Sequence, residues 1–275
     1  MNPLLLKKQV ERFLLEDIGA GDITSDTIFP LSKKGEAQFY MKEAGVLAGS
    51  SIIQIAYSLL NAEINVSLSK KDGEFVKAGE VIATISGPIR HLLMGERVIL
   101  NLLQRMSGIA TLTLKAVNVL DNPYTRICDT RKTTPGLRML EKYAVTCGGG
   151  YNHRLGLSDG VLIKDNHIDF SGSITTAVNR IRQKLGHMVK IEVETETEEQ
   201  VREAVEAGVD IIMFDNRSPE EINDLIKLVP ENIVTEASGN ITLDSLPAYK
   251  HTDVDYISLG FITHSAKAID ISLNM

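Results

Sequence analysis

From Arg126 onward the chain repeats one pattern: a short apolar, β-rich run, a helical segment, then another run. The runs fall at 126–128 (RIC), 160–163 (GVLI), 189–193 (VKIEV), 209–214 (VDIIMF), 232–235 (NIVT) and 254–259 (VDYISL). Helix-like stretches at 136–147, 173–185, 197–207, 218–228 and 242–249 separate them, several opened by N-capping residues such as Ser173, Thr197 and Ser218. Strands that alternate with helices in this way require parallel pairing with helical crossovers. Six or seven such units predict an α/β barrel short of eight strands. An open doubly wound sheet is the alternative, weakened because no G-x-G-x-x-G follows an early strand.

The region before residue 126 has a different texture. Residues 3–17 have helical periodicity, with Leu4, Leu5, Val10, Phe13 and Leu14 on one side, and "GAGDITS" breaks the helix. Between about 35 and 90, short β-rich runs alternate with glycine turns around a helix at 50–61. "KDGEFVKAGEVIATISG" is similar to the strand-turn-strand of biotinyl or lipoyl carriers. It lacks their modifiable lysine and reads as structure. A long helix follows over 91–122, with a bend expected near Ser107-Gly108.

The chain is acidic, with a net charge of −7 and a pI of about 5.5. That argues against nucleic-acid binding, which needs a basic face. No apolar run approaches the length of a membrane span, and the charged N-terminal helix is not a signal peptide. Cys128 and Cys147 make no disulfide framework and read as small apolar fillers, which fits a reducing cytoplasm.

Against this acidic background one stretch stands out. Between 126 and 164 lie Arg126, Arg131, Lys132, Arg138, Lys142, Arg154 and Lys164, opposed only by Asp129, Glu141 and Asp159. In an α/β barrel the chemistry sits where strands end. Those ends sort by charge. Early strands bring Arg131, Lys132 and Lys164; middle strands bring Glu192 or Glu194 and Asp215; the last two bring Ser238-Gly239-Asn240 and Gly260. The late pair matches a barrel phosphate site. A phosphorylated sugar joined to a carboxylic acid fits the whole mouth. Arg131, Lys132, Arg154 and Lys164 are read as ligand contacts, because they flank apolar strands and glycine loops. Lys142 is assigned to solvent on its helix. His153 either packs or faces an anion, and His167 is either structural or functional. Glu194 and Asp215 are either functional or salt-bridged to Lys190 or Lys164.

These residues carry a family resemblance. "TRKTTPGLR", "GGGYNHRLGLSDGVLIKDNH", "EVET", "FDN", "EASGNI" and "ISLG" resemble the quinolinate phosphoribosyltransferases, the carboxylating nicotinate-nucleotide pyrophosphorylases. "LLEDIGAGDITS" and "NLLQRMSGIAT" match as well, so the likeness spans about residues 4–270. It implies an N-terminal α/β sandwich domain over 1–108 and an incomplete α/β (TIM-like) barrel over 109–265, with the tail 266–275 packing back on the first. It implies ribosyl-phosphate transfer from phosphoribosyl pyrophosphate (PRPP) to quinolinate with Mg²⁺, releasing pyrophosphate and carbon dioxide in NAD biosynthesis. It also implies a homodimer or higher homo-oligomer with shared sites. By the same resemblance Arg131, Arg138, His153, Arg154 and Lys164 bind quinolinate, with Arg105 reaching in from the partner chain. Lys132, Lys164, Glu194 and Asp215 are catalytic. Lys132, Glu194, Asp215, Ser238, Gly239, Asn240 and Gly260 hold PRPP, with Mg²⁺ on Glu194 and Asp215.

The chemistry agrees with the residue types. Two adjacent carboxylates need several converging cations: arginine supplies a planar fork and lysine a compact charge. Ribosyl transfer builds positive charge on the sugar, which carboxylates stabilise. Mg²⁺ needs only one or two carboxylates beside substrate phosphates. Alternatives remain: a related base such as nicotinate, the substrate of a molybdenum-associated relative, a Schiff-base lyase using Lys164, or a non-catalytic sensor of a phosphorylated metabolite.

Overall fold

A computed structural model describes all 275 residues. The chain divides into two compact units: Met1–Leu114 with Thr134–Gly149 and Ser265–Met275, and Lys115–Thr133 with Gly150–His264. Residues 134–149 therefore group with the first unit, whereas the expected boundary at residue 108 put them with the barrel.

The first unit opens with α1 (Pro3–Ile18) and α2 (Ile23–Ile28), followed by β1 (Lys34–Met41), β2 (Gly45–Val46), α3 (Ser51–Leu60), β3 (Asn65–Leu68), β4 (Phe75–Val76) and β5 (Val81–Pro88). Asn2 caps α1, accepting from the Leu4 and Leu5 N–H groups, and Pro3 pre-sets its first turn. The buried stripe of α1 is Leu6, Val10 and Leu14, at i, i+4 and i+8. Leu4 and Leu5, expected on that face, are exposed: they sit in the capped turn, off the stripe. A four-stranded antiparallel sheet, ordered β12-β1-β5-β3, forms the centre, with β12 (Ile271–Asn274) arriving from the far end of the chain. Phe39, Met41, Ile82 and Ile85 fill its core.

Helix α4 (Ile89–Leu120) runs without a break through Ser107-Gly108. The glycine serves close packing: a Cβ at Gly108 would lie 2.1 Å from the Lys267 carbonyl oxygen. The Ser107 hydroxyl accepts from the Ala48 N–H at 3.1 Å. Lys142 is also corrected. It is 1% exposed on α5 (Arg138–Cys147), because that face of the helix is buried together with Glu141, Leu140 and Val145.

The second unit holds six parallel strands: β6 (Arg126–Cys128), β7 (Val161–Ile163), β8 (Ile191–Thr195), β9 (Ile211–Asp215), β10 (Val234–Ser238) and β11 (Tyr256–Ser258). Their order is β6-β11-β10-β9-β8-β7. The first strand pairs with the last and the others run in sequence, as in a closing barrel; a doubly wound sheet would reverse direction. The ring stays open between β6 and β7, where Tyr151 supplies a single bridge to Cys128. Ile127, Ile163, Val193, Ile212, Phe214, Ala237 and Ile257 form the buried apolar layer.

Helices α6 (Asp165–Ser171), α7 (Ile174–Arg182), α8 (Glu198–Glu206), α9 (Pro219–Leu225) and α10 (Phe261–His264) complete the unit. Ser173, Thr197 and Ser218 cap α7, α8 and α9 as expected, Ser218 in a capping box with Glu221. Helix α6 lies where the sequence suggested a loop. Residues 242–249 become a 3-10 turn over Leu246–His251, and 218–228 ends in a 3-10 turn after Leu225.

Candidate active site

A cavity of about 510 Å³ opens at the C-terminal ends of the barrel strands. Thr130, Arg131 and Lys132 reach it from the loop after β6, and His153 and Arg154 from the segment that re-enters at Gly150. Lys164 follows β7, Glu194 is on β8, Asp215 ends β9, and Ser238-Gly239-Asn240 ends β10. Ten of the thirteen residues singled out in the sequence thus line one cavity. Gly260 sits behind it: a Cβ there would meet the Lys132 side chain at 3.1 Å and the His264 ring at 3.3 Å. Arg105 and Arg138 belong to the first unit and are not among the lining residues.

Asp129 fixes the cationic side. Fully buried after β6, it accepts from the His153 N–H at 2.9 Å and from Asn152 Nδ2 at 2.6 Å. One carboxylate therefore ties the two cation-bearing loops together. Arg154 Nη1 donates to the Gly160 carbonyl at 2.9 Å. Burial and then the neighbouring Arg131 hold the Arg154 guanidinium below its ordinary pKa, while Glu192, Glu194 and Asp159 oppose that shift. Thr263 donates to the Lys132 carbonyl at 2.7 Å and anchors that loop.

The carboxylate side is set by strand register. Ser238 lies beside Asp215, and Thr195 beside Phe214, so the ends of β8, β9 and β10 come level. Lys164 Nζ bonds Glu194 Oε1. Burial raises the Glu194 carboxyl, Lys164 opposes that rise, and Asp215 and Glu192 add to it. Lys190 pairs with Asp210 at 2.7 Å rather than with either site acid. Asp215 accepts from Asn216 Nδ2 at 2.7 Å. His167 is structural: its Nδ1 accepts the Lys164 N–H at 3.0 Å and closes the first turn of α6.

The turn after β10 is tight. Gly239 has φ +93, and a Cβ there would lie 2.3 Å from Asn216 Oδ1. Asn216 and Asn240 also take positive φ, and Asn240 Nδ2 donates to Asn216 Oδ1 at 2.9 Å. Left-handed turns of this kind present backbone N–H groups as anion nests.

Glu236 and Ser258 were not selected from the sequence, and Glu192 entered only as the alternative to Glu194; all three are no more than 5% exposed. Ser258 had a signal, a hydroxyl residue inside an apolar run, whereas Glu236 followed directly on one.

Fold and site together define an incomplete α/β barrel built to hold a small, multiply anionic ligand between clustered cations and a carboxylate pair. Family profiles match almost the whole chain: the N-terminal domain of quinolinate phosphoribosyl transferase over residues 22–107 and its C-terminal domain over 109–274. A probable nicotinate-nucleotide pyrophosphorylase [carboxylating] of Bacillus subtilis is 59% identical, covering 100% of this chain and 95% of that protein. Quinolinate phosphoribosyltransferase [decarboxylating] 2, mitochondrial, of Nicotiana glauca is 38% identical over 98% of this chain and 82% of its own length. The crystal structure of NadC from Streptococcus pyogenes superposes with a TM-score of 0.97 at 40% identity, covering 100% of this chain and 97% of that one. The chain belongs to the quinolinate phosphoribosyltransferase family.

Proposed function

We propose that this protein transfers the 5-phosphoribosyl group of PRPP to the ring nitrogen of quinolinate, yielding nicotinate mononucleotide, pyrophosphate and carbon dioxide for NAD biosynthesis. The observation that carries this reading is one cavity in which Arg131, Lys132, Arg154 and Lys164 face Glu194, Asp215 and the Ser238–Asn240 turn. The cations fit two adjacent carboxylates; arginine forks can chelate them where water is excluded. The Ser238–Asn240 turn suits the 5-phosphate. Glu194 and Asp215 suit the ribose hydroxyls and the cationic sugar that forms as pyrophosphate leaves. Once the nitrogen is ribosylated, the pyridinium withdraws electrons and the adjacent carboxylate departs as carbon dioxide.

The donor set also suits Mg²⁺. Glu194 and Asp215 offer hard oxygen atoms at neighbouring strand ends, and Glu194 already holds Lys164, so substrate phosphates and water would supply most of the coordination. Magnesium bound there would offset the charge of the diphosphate leaving group. The Lys164–Glu194 contact disfavours a Schiff-base lyase, since it engages the very nitrogen that would have to attack a carbonyl. No helix is long and apolar enough to cross a membrane. A cytoplasmic setting is part of the same proposal and accords with two free cysteines.

The test is turnover with PRPP and Mg²⁺, comparing quinolinate with nicotinate. Nicotinate should be at least about a hundredfold poorer in kcat/KM, because it lacks one of the two charges that the converging cations are placed to meet. Comparable turnover of the two acids would reject the two-carboxylate pocket.

The same reading includes a homodimer or higher homo-oligomer in which Arg105 of one chain enters the other's cavity. Within its own chain Arg105 donates to Glu141 and to the Ala266 carbonyl at 2.9 Å, which holds the side chain in a defined pose. Arg105→Ala and Lys164→Ala should each be severely impaired, while mixing them should restore part of the activity through hybrid sites. A mixture no more active than its components would reject the shared site.

A further inference from the structure

Below the cavity described above lies a second one, of about 360 Å³, lined by Glu192, Glu236, Tyr151, Tyr256 and the first residues of β9 and β10. Polar side chains connect the two. Ser258 lines the upper cavity. Its Oγ bonds Glu236 Oε1 and lies 3.2 Å from Cys128 Sγ. Glu236 lines the lower cavity. His153 lines both, with Nε2 2.9 Å from Glu192 Oε2 and 3.8 Å from Glu236 Oε2. Glu192 Oε1 is buried without a hydrogen-bond partner.

One imidazole nitrogen and two carboxylate oxygens within 4.8 Å of one another have the make-up of a divalent-cation site. The ring orientation argues for a different occupant. His153 Nδ1 accepts the Arg154 N–H at 2.9 Å, so the neutral imidazole carries its proton on Nε2, the atom a cation would need. The cluster is built to hold protons. Burial first, then Glu192, lifts the Glu236 carboxyl well above the usual carboxylate range; Glu194 adds to the rise, while His153 and Ser258 oppose it.

We propose that Ser258 and Glu236 form a proton relay through the barrel, delivering a proton to the substrate carbon that loses carbon dioxide. This rests on the function proposed above. The bond between ring carbon C2 and its carboxylate breaks, carbon dioxide leaves, and the electron pair remains on C2. The Ser258 hydroxyl proton moves to C2 and forms the C–H bond. Glu236 returns a proton to Ser258 Oγ, and water in the lower cavity reprotonates Glu236. One proton enters for each carbon dioxide released, with no oxidant or reductant. The Ser258 hydroxyl donates to Glu236 Oε1 in the structure, and protonation of Glu236 reverses that bond and frees the hydroxyl hydrogen for the upper cavity.

Rapid-quench single turnovers that measure pyrophosphate and nicotinate mononucleotide separately test the relay. Ser258→Ala and Glu236→Gln should release pyrophosphate within about twofold of the wild-type rate yet form the mononucleotide about a hundredfold more slowly, as for loss of a general acid. The ribosylated dicarboxylate should accumulate, and Ser258→Thr, which keeps the hydroxyl, should recover mononucleotide formation. Glu236→Gln should melt no lower than wild type above the usual carboxylate range. The folded-state pKa of Glu236 is raised, so its ionisation destabilises the native state as pH rises, and glutamine removes that penalty. Both products slowing in step, or neither slowing, overturns the relay. A wild-type protein that makes no mononucleotide from quinolinate overturns the proposed function instead.

Discussion

Lys164→Ala should lower kcat/KM with quinolinate by about 10³ and move the acid limb of the pH–rate profile to higher pH. Lys164 faces the substrate in the proposed site as well as Glu194, and truncating one partner of a charge pair that bound substrate shields from water costs about 2–5 kcal/mol; about 4 kcal/mol corresponds to the stated factor. The partner is Glu194, which is half-buried and whose carboxyl is already raised by burial with Lys164 pulling it down. Without Lys164 that downward pull is gone. Glu194 then ionises at higher pH, and the activity that needs its carboxylate appears later on the pH axis. An acid limb that stays in place would show that Glu194 is not the titrating group. Lys164→Arg should keep the limb near wild type while still losing turnover, since a planar fork does not replace a compact ammonium.

The largest stability effect should come from Glu141→Ala. This glutamate is fully buried in the first unit. Its Oε1 accepts from Arg105 Nε at 3.0 Å and Nη2 at 2.9 Å, and its Oε2 accepts the Thr134 N–H at 3.0 Å. Deleting the carboxylate leaves a guanidinium and a backbone donor without their acceptor, which costs about 3–5 kcal/mol. At about 2–4 °C per kcal/mol for a chain of comparable size, thermal unfolding should drop by about 10 °C. The double variant Arg105→Met/Glu141→Leu should recover much of that loss, because an apolar pair of similar volume avoids the desolvation penalty. An unchanged melting point for Glu141→Ala would show that the pair contributes nothing net.

The sequence reading succeeded where local chemistry decides and failed where tertiary context does. Apolar runs bounded by polar residues located all six barrel strands, and side-chain caps at Ser173, Thr197 and Ser218 marked their helices. The cations were legible because Arg131, Lys132 and Arg154 belong to a stretch where seven Lys/Arg face only three acids. Strand ends were misplaced by a few residues. β8 runs to Thr195 and β10 to Ser238, since parallel register with β9 extends the ladder beyond the apolar run. That shift is why Glu236 read as a loop residue, although it stands inside β10 with 4% exposure. Lys142 failed for the reverse reason. Its helical position alone suggests solvent, and only the packing around α5 reveals its burial. Helix α6 went unseen because its first-turn acceptor is the ring nitrogen of His167 rather than a standard capping side chain.

The pairing of β12 with β1 has a consequence for how the protein is made. Residues 38–41 gain their outer neighbour only from residues 271–274. At about 5–20 residues per second, the ribosome takes on the order of tens of seconds to cover that interval. Until then β1, carrying Phe39 and Met41, has an unsatisfied edge. Such a long-range closure raises contact order and slows folding. The first unit therefore cannot mature in step with its own synthesis. β1, β5 and β3 can pair from residues 34–88 alone, so the nascent sheet exposes the β1 edge until residues 271–274 complete it.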